Sequence, residues 1–221
     1  MIPFMLSKPP ADSIPVPAIL LAAGASTRLG EPKQLLRLSV IDGETLLDHA
    51  ISQARAAGAA PIFVVLGAHA EEIILECEIL DCIVVRNEAW EEGMASSLRI
   101  GVAAVLEHAP AASGAMVLVC DQPSLRADHL LRLLDAHKAD SNRIAASRYA
   151  GRTAVPAIFP RSLFPALLDL RGDQGARALL QQPGTGVHAI DFPEGELDVD
   201  SPEDLQRLQA ALLSRPLPKA N

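Results

Sequence analysis

The stretch from Ile19 to Lys33, ILLAAGASTRLGEPK, decides how the rest of the chain is interpreted. A short apolar run from Ala18 to Ala22 ends in a series of small residues that begins with Ala23 and Gly24. This pattern is typical of a buried strand in a parallel sheet, although a run this short also fits a buried helix. We expect the loop that follows the strand to bring backbone N–H groups close to a ligand.

Two cations follow the small residues, Arg28 and Lys33. A loop lined by N–H groups holds phosphate oxygens well, and a guanidinium fork and an ammonium can contact the same oxygens. The alternative is an ordinary turn with two solvated cations. Because the stretch contains neither Gly-x-Gly-x-x-Gly nor Gly-Lys-Ser/Thr, the dinucleotide fingerprint and the Walker-type P-loop are both excluded.

The segment from Leu21 to Leu36, LAAGASTRLGEPKQLL, closely resembles the signature of the MobA-like nucleotidyltransferase superfamily. Those enzymes use a nucleoside triphosphate to cap a phosphate or sugar phosphate. Within the superfamily the segment is most similar to the molybdenum cofactor cytidylyltransferases, the MocA-like enzymes. The resemblance implies that Lys33 and Arg28 are catalytic. It also implies a set of nucleotide-binding residues: Leu21, Ala22, Ala23, Gly24, Ser26, Arg28 and Lys33.

Two acidic residues match further segments of the family. Asp121 follows an apolar run in VLVCDQP, where a turn-forming or capping role is the alternative. Asp200 lies in LDVDSPEDL. Judged by charge alone, Asp198 or Asp204 could serve equally well, and only the match to the family segment favours Asp200. The resemblance implies that Asp121 and Asp200 together hold Mg²⁺ and that Asp121 is catalytic. Two carboxylates suit a hard cation that also binds substrate phosphates.

The segment NEAWEEGMASSLRIG is similar to the part of the family that contacts the base. The resemblance implies nucleotide contacts from Gly93 and Ser97, with Ser96 beside them, whereas a plain helix start is the alternative. The segment GDQGAR, which contains Asp173 and Arg177, also looks like a stretch of the cytidylyltransferases. It lines the second-substrate pocket or simply marks a helix break.

The composition excludes several classes of protein. A net charge of −8 in 221 residues, with a pI near 5.2, argues against a nucleic-acid partner. The three cysteines, Cys77, Cys82 and Cys120, form no CxxC pair, so we expect neither structural disulfides nor a zinc site. Residues 1–17 lack a long apolar segment and no run reaches membrane-spanning length, so a cytoplasmic protein without membrane contact is expected.

Strand-like and helix-like segments alternate through the first part of the chain. This alternation predicts one Rossmann-like, three-layer α/β/α domain with a mostly parallel sheet, and the resemblance implies the nucleotide-diphospho-sugar transferase type. We expect a disordered tail over 1–15, the nucleotidyltransferase domain over 16–214 and a frayed end over 215–221. In such sheets ligands bind at the carboxyl ends of the strands, where Gly24 and Asp121 are expected.

The resemblance implies transfer of CMP from CTP to Mo-molybdopterin, because Ala22-Ala23-Gly24 matches the CTP-using branch and guanylyltransferases have Ala-Gly-Gly. A GTP-using enzyme of the same pathway is one alternative. Methylerythritol phosphate cytidylyltransferase is another, although its His-Asp-Ala-Ala-Arg segment is replaced by VCDQPSL. A non-catalytic maturation factor that carries the cofactor is the third. An acceptor molybdoenzyme or its chaperone is the expected protein partner.

Overall fold

The computed structural model describes residues 15–37, 43–181, 186–199, 201, 203–204 and 207. The expected tail, apart from Pro15, and the expected frayed end lie outside these residues, as does Asp200. Strands and helices alternate from Ala18 to Ala139, as the sequence predicts, and two consecutive strands follow at Ile144–Tyr149 and Arg152–Pro160.

One sheet runs through the described part of the molecule, in the strand order β3-β2-β1-β4-β6-β5-β7. The neighbours β3, β2, β1 and β4 are parallel, β6 is antiparallel to β4 and β5, and β7 is parallel to β5. The strands are β1 (Ala18–Ala22), β2 (Ile62–Leu66), β3 (Ile83–Arg86), β4 (Gly114–Val119), β5 (Ile144–Tyr149), β6 (Arg152–Pro160) and β7 (Val187–Asp191).

Helices cover both faces of this sheet, which confirms the predicted three-layer α/β fold with a mostly parallel sheet. Short 3₁₀ turns occur at Lys33–Leu35, Trp90–Glu92, Arg161–Leu163, Gly172–Gln174 and Pro193–Glu196. The α-helices are α1 (Leu46–Ala56), α2 (Ala70–Glu76), α3 (Met94–His108), α4 (Ala127–Ala139), α5 (Phe164–Leu168) and α6 (Arg177–Leu180).

Strand β1 lies in the middle of the core because its residues are apolar on both faces. Ala18, Leu20 and Ala22 pack on the side of α1 and α4, while Ile19 and Leu21 pack on the side of α3 and α5. Side chains alternate across a strand, so an unbroken apolar run of this length needs cover on both sides. The run at Ala18–Ala22 is therefore a buried strand, and the helical alternative is wrong.

Local sequence signals account for several element boundaries. Helix α1 begins after Thr45, whose side chain accepts a hydrogen bond from the Asp48 N–H at 3.0 Å. Strands β5 and β6 join through Ala150 and Gly151, which both have positive φ, the combination that a tight hairpin turn requires. The helix expected after Asp200 lies largely outside the described residues. Its expected cap, Ser201, accepts from the Asp204 N–H at 3.2 Å.

A buried histidine ties helix α4 to strand β5. His129 is 2% exposed, and its ring stacks on Phe192 with the ring centres 4.2 Å apart. Arg132 donates to Nδ1 at 3.1 Å, so Nε2 carries the proton and donates to Ser147 Oγ at 2.7 Å. Burial, and then the positive charge of Arg132, lower the pKa of His129 from 6.5 to about 4.

We therefore expect the folded state to lose stability as the pH falls through the range from 6.5 to 4. The unfolded chain binds a proton at His129 below pH 6.5, whereas the folded chain does so only near its lowered pKa of about 4. This difference removes about 3 kcal/mol from the free energy of unfolding between pH 8 and pH 4. Burial lowers the pKa of His49 and His137 as well, so they act in the same direction.

Urea unfolding at pH 8, 6.5, 5 and 4.5 measures the effect. The variant His129→Gln lacks the ring that stacks on Phe192, so it should be less stable than the wild type at pH 8. Because Gln cannot be protonated, the variant should lose less free energy of unfolding on acidification. Equal losses in the two proteins would show that His129 does not contribute to the acid sensitivity.

Candidate active site

The loop after β1 is held in shape by Gln34, which is fully buried. Its Nε2 donates to the carbonyl oxygens of Ala22 at 2.8 Å and Gly24 at 3.0 Å. In a trans peptide the N–H points opposite to the C=O, so the N–H of Ala25 points away from Gln34. Gly24 itself is exposed, and a loop built in this way can present N–H groups to an anion.

Ser26 connects the loop to the turn that carries Lys33. Its φ of 53° is left-handed, and its Oγ accepts from the Lys33 N–H at 3.0 Å. Arg28, between them, is exposed to solvent. The sequence predicts site roles for Ser26, Arg28 and Lys33. The structural role of Gln34 was not predicted, because its only signal in the sequence is a polar residue beside Lys33.

Lys33 and Asp121 are in contact. The Lys33 ammonium donates to Asp121 Oδ2 at 2.5 Å, and the two side chains are 18% and 16% exposed. The contact arises because β1 and β4 are parallel neighbours, with Leu21 opposite Val119, so both residues follow strands that end at the same edge of the sheet. An ammonium has three N–H donors and a carboxylate has two oxygens, so the contact is compatible with further ligands on each group.

A buried polar network lies behind the start of α3. Asn87 follows β3, is 4% exposed, and donates through Nδ2 to Ser96 Oγ at 2.8 Å and to Ser97 Oγ at 2.9 Å. The Ser96 hydroxyl donates onward to the Gly93 carbonyl oxygen at 2.8 Å. Ser97 is 5% exposed, so the structure places this predicted nucleotide contact inside the network. The role of Asn87, a polar residue at the carboxyl end of β3, was not predicted from the sequence.

The loops after β1 and β2 pack closely against Trp90. The Ala68 N–H donates to the Ala23 carbonyl oxygen at 3.1 Å. A Cβ added to Gly67 would lie 2.6 Å from Trp90 Cβ and 2.8 Å from the Ala23 oxygen, so only glycine fits there. Trp90 also borders a cleft of about 380 Å³ at the carboxyl ends of β2 and β3, to which His69 contributes as well. Trp90 therefore packs at the edge of the candidate site.

The segment GDQGAR reaches the start of α3. Gly93 has a φ of 105°, and a Cβ there would lie 2.1 Å from Asp173 Oδ1 and 2.9 Å from the Gly172 backbone. A Cβ at Gly175 would lie 2.7 Å from Met94 Sδ. The turn at Gly172–Gln174 therefore packs directly against the residues that the family resemblance assigns to the base.

The described residues supply one of the two predicted metal ligands. Asp121 lies just beyond the carboxyl end of β4, and its carbonyl oxygen accepts from the Val199 N–H at 3.0 Å. Asp200, the residue after Val199, lies outside the described residues. Within the described part, no group of three or more His, Cys, Asp and Glu side chains could hold a metal ion. A carboxylate beside a phosphate-type loop nevertheless fits Mg²⁺, which commonly takes one or two carboxylates together with substrate phosphates.

Comparison with known proteins identifies the family. Residues 18–187 match the family described as the MobA-like NTP transferase domain. The chain belongs to this family. The matched MobA-like region contains Gly24, Lys33, Gly93 and Asp121 and ends before Asp200.

Two curated MobA-like relatives match over most of their length. Nicotine blue oxidoreductase of Paenarthrobacter nicotinovorans is 34% identical, and the match covers 87% of this chain and 96% of that protein. The purine catabolism protein PucB of Bacillus subtilis is 31% identical, with 88% of this chain and 96% of that protein covered.

A solved structure shows the same fold. Rv0371c of Mycobacterium tuberculosis superposes with a TM-score of 0.77 at 35% identity, covering 88% of this chain and 96% of that one. A second crystal structure of that protein, a complex with manganese, gives a TM-score of 0.74 at 32% identity, covering 90% of this chain and 100% of that one.

The helices of the described residues include none with an apolar stretch of membrane-spanning length.

Proposed function

We propose that this MobA-like protein is a magnesium-dependent cytidylyltransferase that transfers CMP from CTP to Mo-molybdopterin and releases pyrophosphate. The observation that carries the proposal is the contact of Lys33 with Asp121 beside the Gly24 loop. An ammonium, a carboxylate and a loop able to present N–H groups to an anion converge at the edge of a parallel sheet where ligands bind. This combination suits a triphosphate and a divalent cation better than it suits a packing role.

The reaction asks the protein for positioning and charge stabilisation. A phosphate oxygen of the acceptor attacks the α-phosphorus, and the bond to the β-phosphate oxygen breaks with its electron pair on the leaving pyrophosphate. The Gly24 loop and Arg28 hold the pyrophosphate, while Lys33 neutralises charge on the α-phosphoryl oxygens. Asp121 and Asp200 would hold Mg²⁺. When bound there, Mg²⁺ supplies further positive charge to the phosphate oxygens.

The metal proposal has support from a relative. One crystal structure of Rv0371c is a complex with manganese, a cation that prefers the same oxygen ligands as Mg²⁺. The Asp121 carboxylate of this chain is only partly exposed and lies next to the phosphate-type loop, so a cation bound there would also reach a phosphate.

The nucleotide preference is testable as a ratio of kcat/KM values. Ala22-Ala23-Gly24 matches the CTP-using branch, so we expect kcat/KM for CTP to exceed that for GTP by at least about tenfold, equivalent to 1.4 kcal/mol. Pyrophosphate release from each triphosphate, with molybdopterin, Mo-molybdopterin or methylerythritol phosphate as acceptor, measures this preference. Preference for GTP would assign the chain to the guanylyl branch, and turnover with methylerythritol phosphate alone would assign it to that pathway.

A redox function is the second candidate, because a relative with 34% identity is named an oxidoreductase. The β1 loop lacks the dinucleotide fingerprint, and Lys33 is paired with Asp121, so the site favours phosphate chemistry. Oxidation of NADH or NADPH in the presence of nicotine blue, without pyrophosphate release from any triphosphate, would overturn the proposed transferase. Binding of molybdopterin without turnover of either kind would instead indicate a cofactor carrier.

A further inference from the structure

Gln122, the residue after Asp121, has a buried side chain that links three parts of the chain. It is 3% exposed. Its Nε2 lies 3.1 Å from Tyr149 Oη, 3.3 Å from the Gly195 carbonyl oxygen and 3.5 Å from the Val155 carbonyl oxygen. The Gln122 amide therefore connects the end of β4 with β5, β6 and the turn at Pro193–Glu196.

Burial of the Gln122 amide in this position costs free energy. Its Oε1 is buried as well, and no hydrogen-bond donor for it occurs among the described residues. An apolar side chain of similar length would avoid the desolvation of this oxygen. The hydrogen bonds of Nε2 fix the orientation of the Gln122 side chain toward Gly195, which an apolar side chain would not do.

The segment Gly195–Val199 is attached to the Asp121–Gln122 pair at both of its ends. Gly195 accepts from Gln122 Nε2, and the Val199 N–H donates to the Asp121 carbonyl oxygen at 3.0 Å. The first attachment is closely packed, because a Cβ on Gly195 would lie 2.3 Å from the Phe192 ring and 2.9 Å from the Tyr149 ring. The second attachment comes directly before Asp200 in the sequence.

We propose that Gln122 is a positioning residue for the metal-binding carboxylate of Asp121. By holding the Gly195–Val199 segment against Asp121, it sets the affinity for the divalent cation without touching the cation or the reacting phosphates. This inference rests on the proposed function, in which Asp121 and Asp200 hold the metal.

The test uses Mn²⁺ as the probe, since its free aqueous form has a strong EPR signal that is lost on binding. In Gln122→Met the side chain keeps its length and loses its donor. We expect the Kd for Mn²⁺ of the full chain, measured without nucleotide, to rise by about 10- to 100-fold, as when supporting residues around other metal sites are changed. At saturating metal, kcat should stay within about threefold of wild type, because the reacting groups are intact.

Two further variants make the test independent of folding. Tyr149→Phe removes the hydroxyl that accepts from Gln122 and keeps the ring, so a smaller rise in the same Kd is expected. Ser113→Ala is the matched control, because it removes a 3.0 Å contact to the buried His137 at the opposite end of β4. The control should lower the urea midpoint and leave the Kd for Mn²⁺ unchanged.

The outcomes separate this inference from the proposed function. A wild-type chain that binds no Mn²⁺, or a Gln122→Met variant with the wild-type Kd, would overturn the positioning role. An equal rise in Kd in Ser113→Ala would also overturn it, because the effect would then follow from lost stability. A wild-type chain that binds Mn²⁺ through Asp121 but transfers no nucleotide would overturn the proposed function and leave the role of Gln122 supported.

Discussion

Alanine in place of Lys33 is expected to lower kcat by about two to three orders of magnitude, a loss of about 2.7–4 kcal/mol of transition-state stabilisation. The proposed role of the Lys33 ammonium is to neutralise charge that grows on the α-phosphoryl oxygens. An interaction of that kind is stronger in the transition state than in the ground state, so its removal acts on kcat rather than on KM alone. Pyrophosphate release at saturating triphosphate and acceptor measures the change.

The ion pair adds a second expected effect of this substitution. Without the ammonium, the partly buried carboxylate of Asp121 loses its 2.5 Å partner, so some stability should be lost. We expect Tm to fall by no more than about 4 °C, because both side chains keep some contact with water and a chain of this size loses about 2–4 °C per kcal/mol.

The control for Lys33 is Lys138→Ala, which removes an exposed lysine near the end of α4. It should keep the wild-type kcat. A folded Lys33→Ala protein with unchanged kcat would show that the ammonium stabilises Asp121 in the resting protein and takes no part in the chemistry.

How well the sequence predicts the fold depends on whether the signal is local. Strand β2, Ile62–Leu66, coincides with the apolar run IFVVL, and helix α3, Met94–His108, begins directly after Gly93. The position of β6 between β4 and β5, antiparallel to both, could not be predicted in this way. Pairing between β4 and β6 joins residues such as Met116 and Ile158, and their partnership depends on the packing of the whole sheet.

In the candidate site, too, local signals could be predicted from the sequence and long-range contacts could not. Lys33 and Asp121 each stood out from the residues around them, but their contact spans 88 positions and results from the parallel pairing of β1 and β4. The supporting amides, Gln34, Asn87 and Gln122, were not predicted. In the sequence each is a single polar residue near a strand end, and its importance comes from burial among backbone carbonyls or serine hydroxyls.

Asparagine in place of Asp121, and in place of Asp200, is expected to show that the two carboxylates act as one magnesium site. Asn keeps the shape of the side chain and removes its charge, so Tm should fall by no more than about 4 °C, the limit expected when the Lys33–Asp121 ion pair is lost. Each single variant should lose about 100-fold or more in kcat and need more Mg²⁺ for half-maximal activity, because one anionic ligand is missing. Asp128→Asn, an exposed carboxylate in the first turn of α4, is the matched control and should behave as the wild type.

The double variant carries the decisive comparison. Residues that act as one unit are non-additive, so Asp121→Asn combined with Asp200→Asn should lose little more than the worse single variant. The Val199 N–H, one residue before Asp200, already donates to the Asp121 carbonyl oxygen at 3.0 Å, which supports a shared site. Titration of kcat with Mg²⁺ and the EPR Kd for Mn²⁺ are measured for the wild type, both single variants, the double variant and the Asp128→Asn control. Mild losses that add in the double variant, with unchanged metal dependence, would show that the two carboxylates work separately and that neither holds the metal.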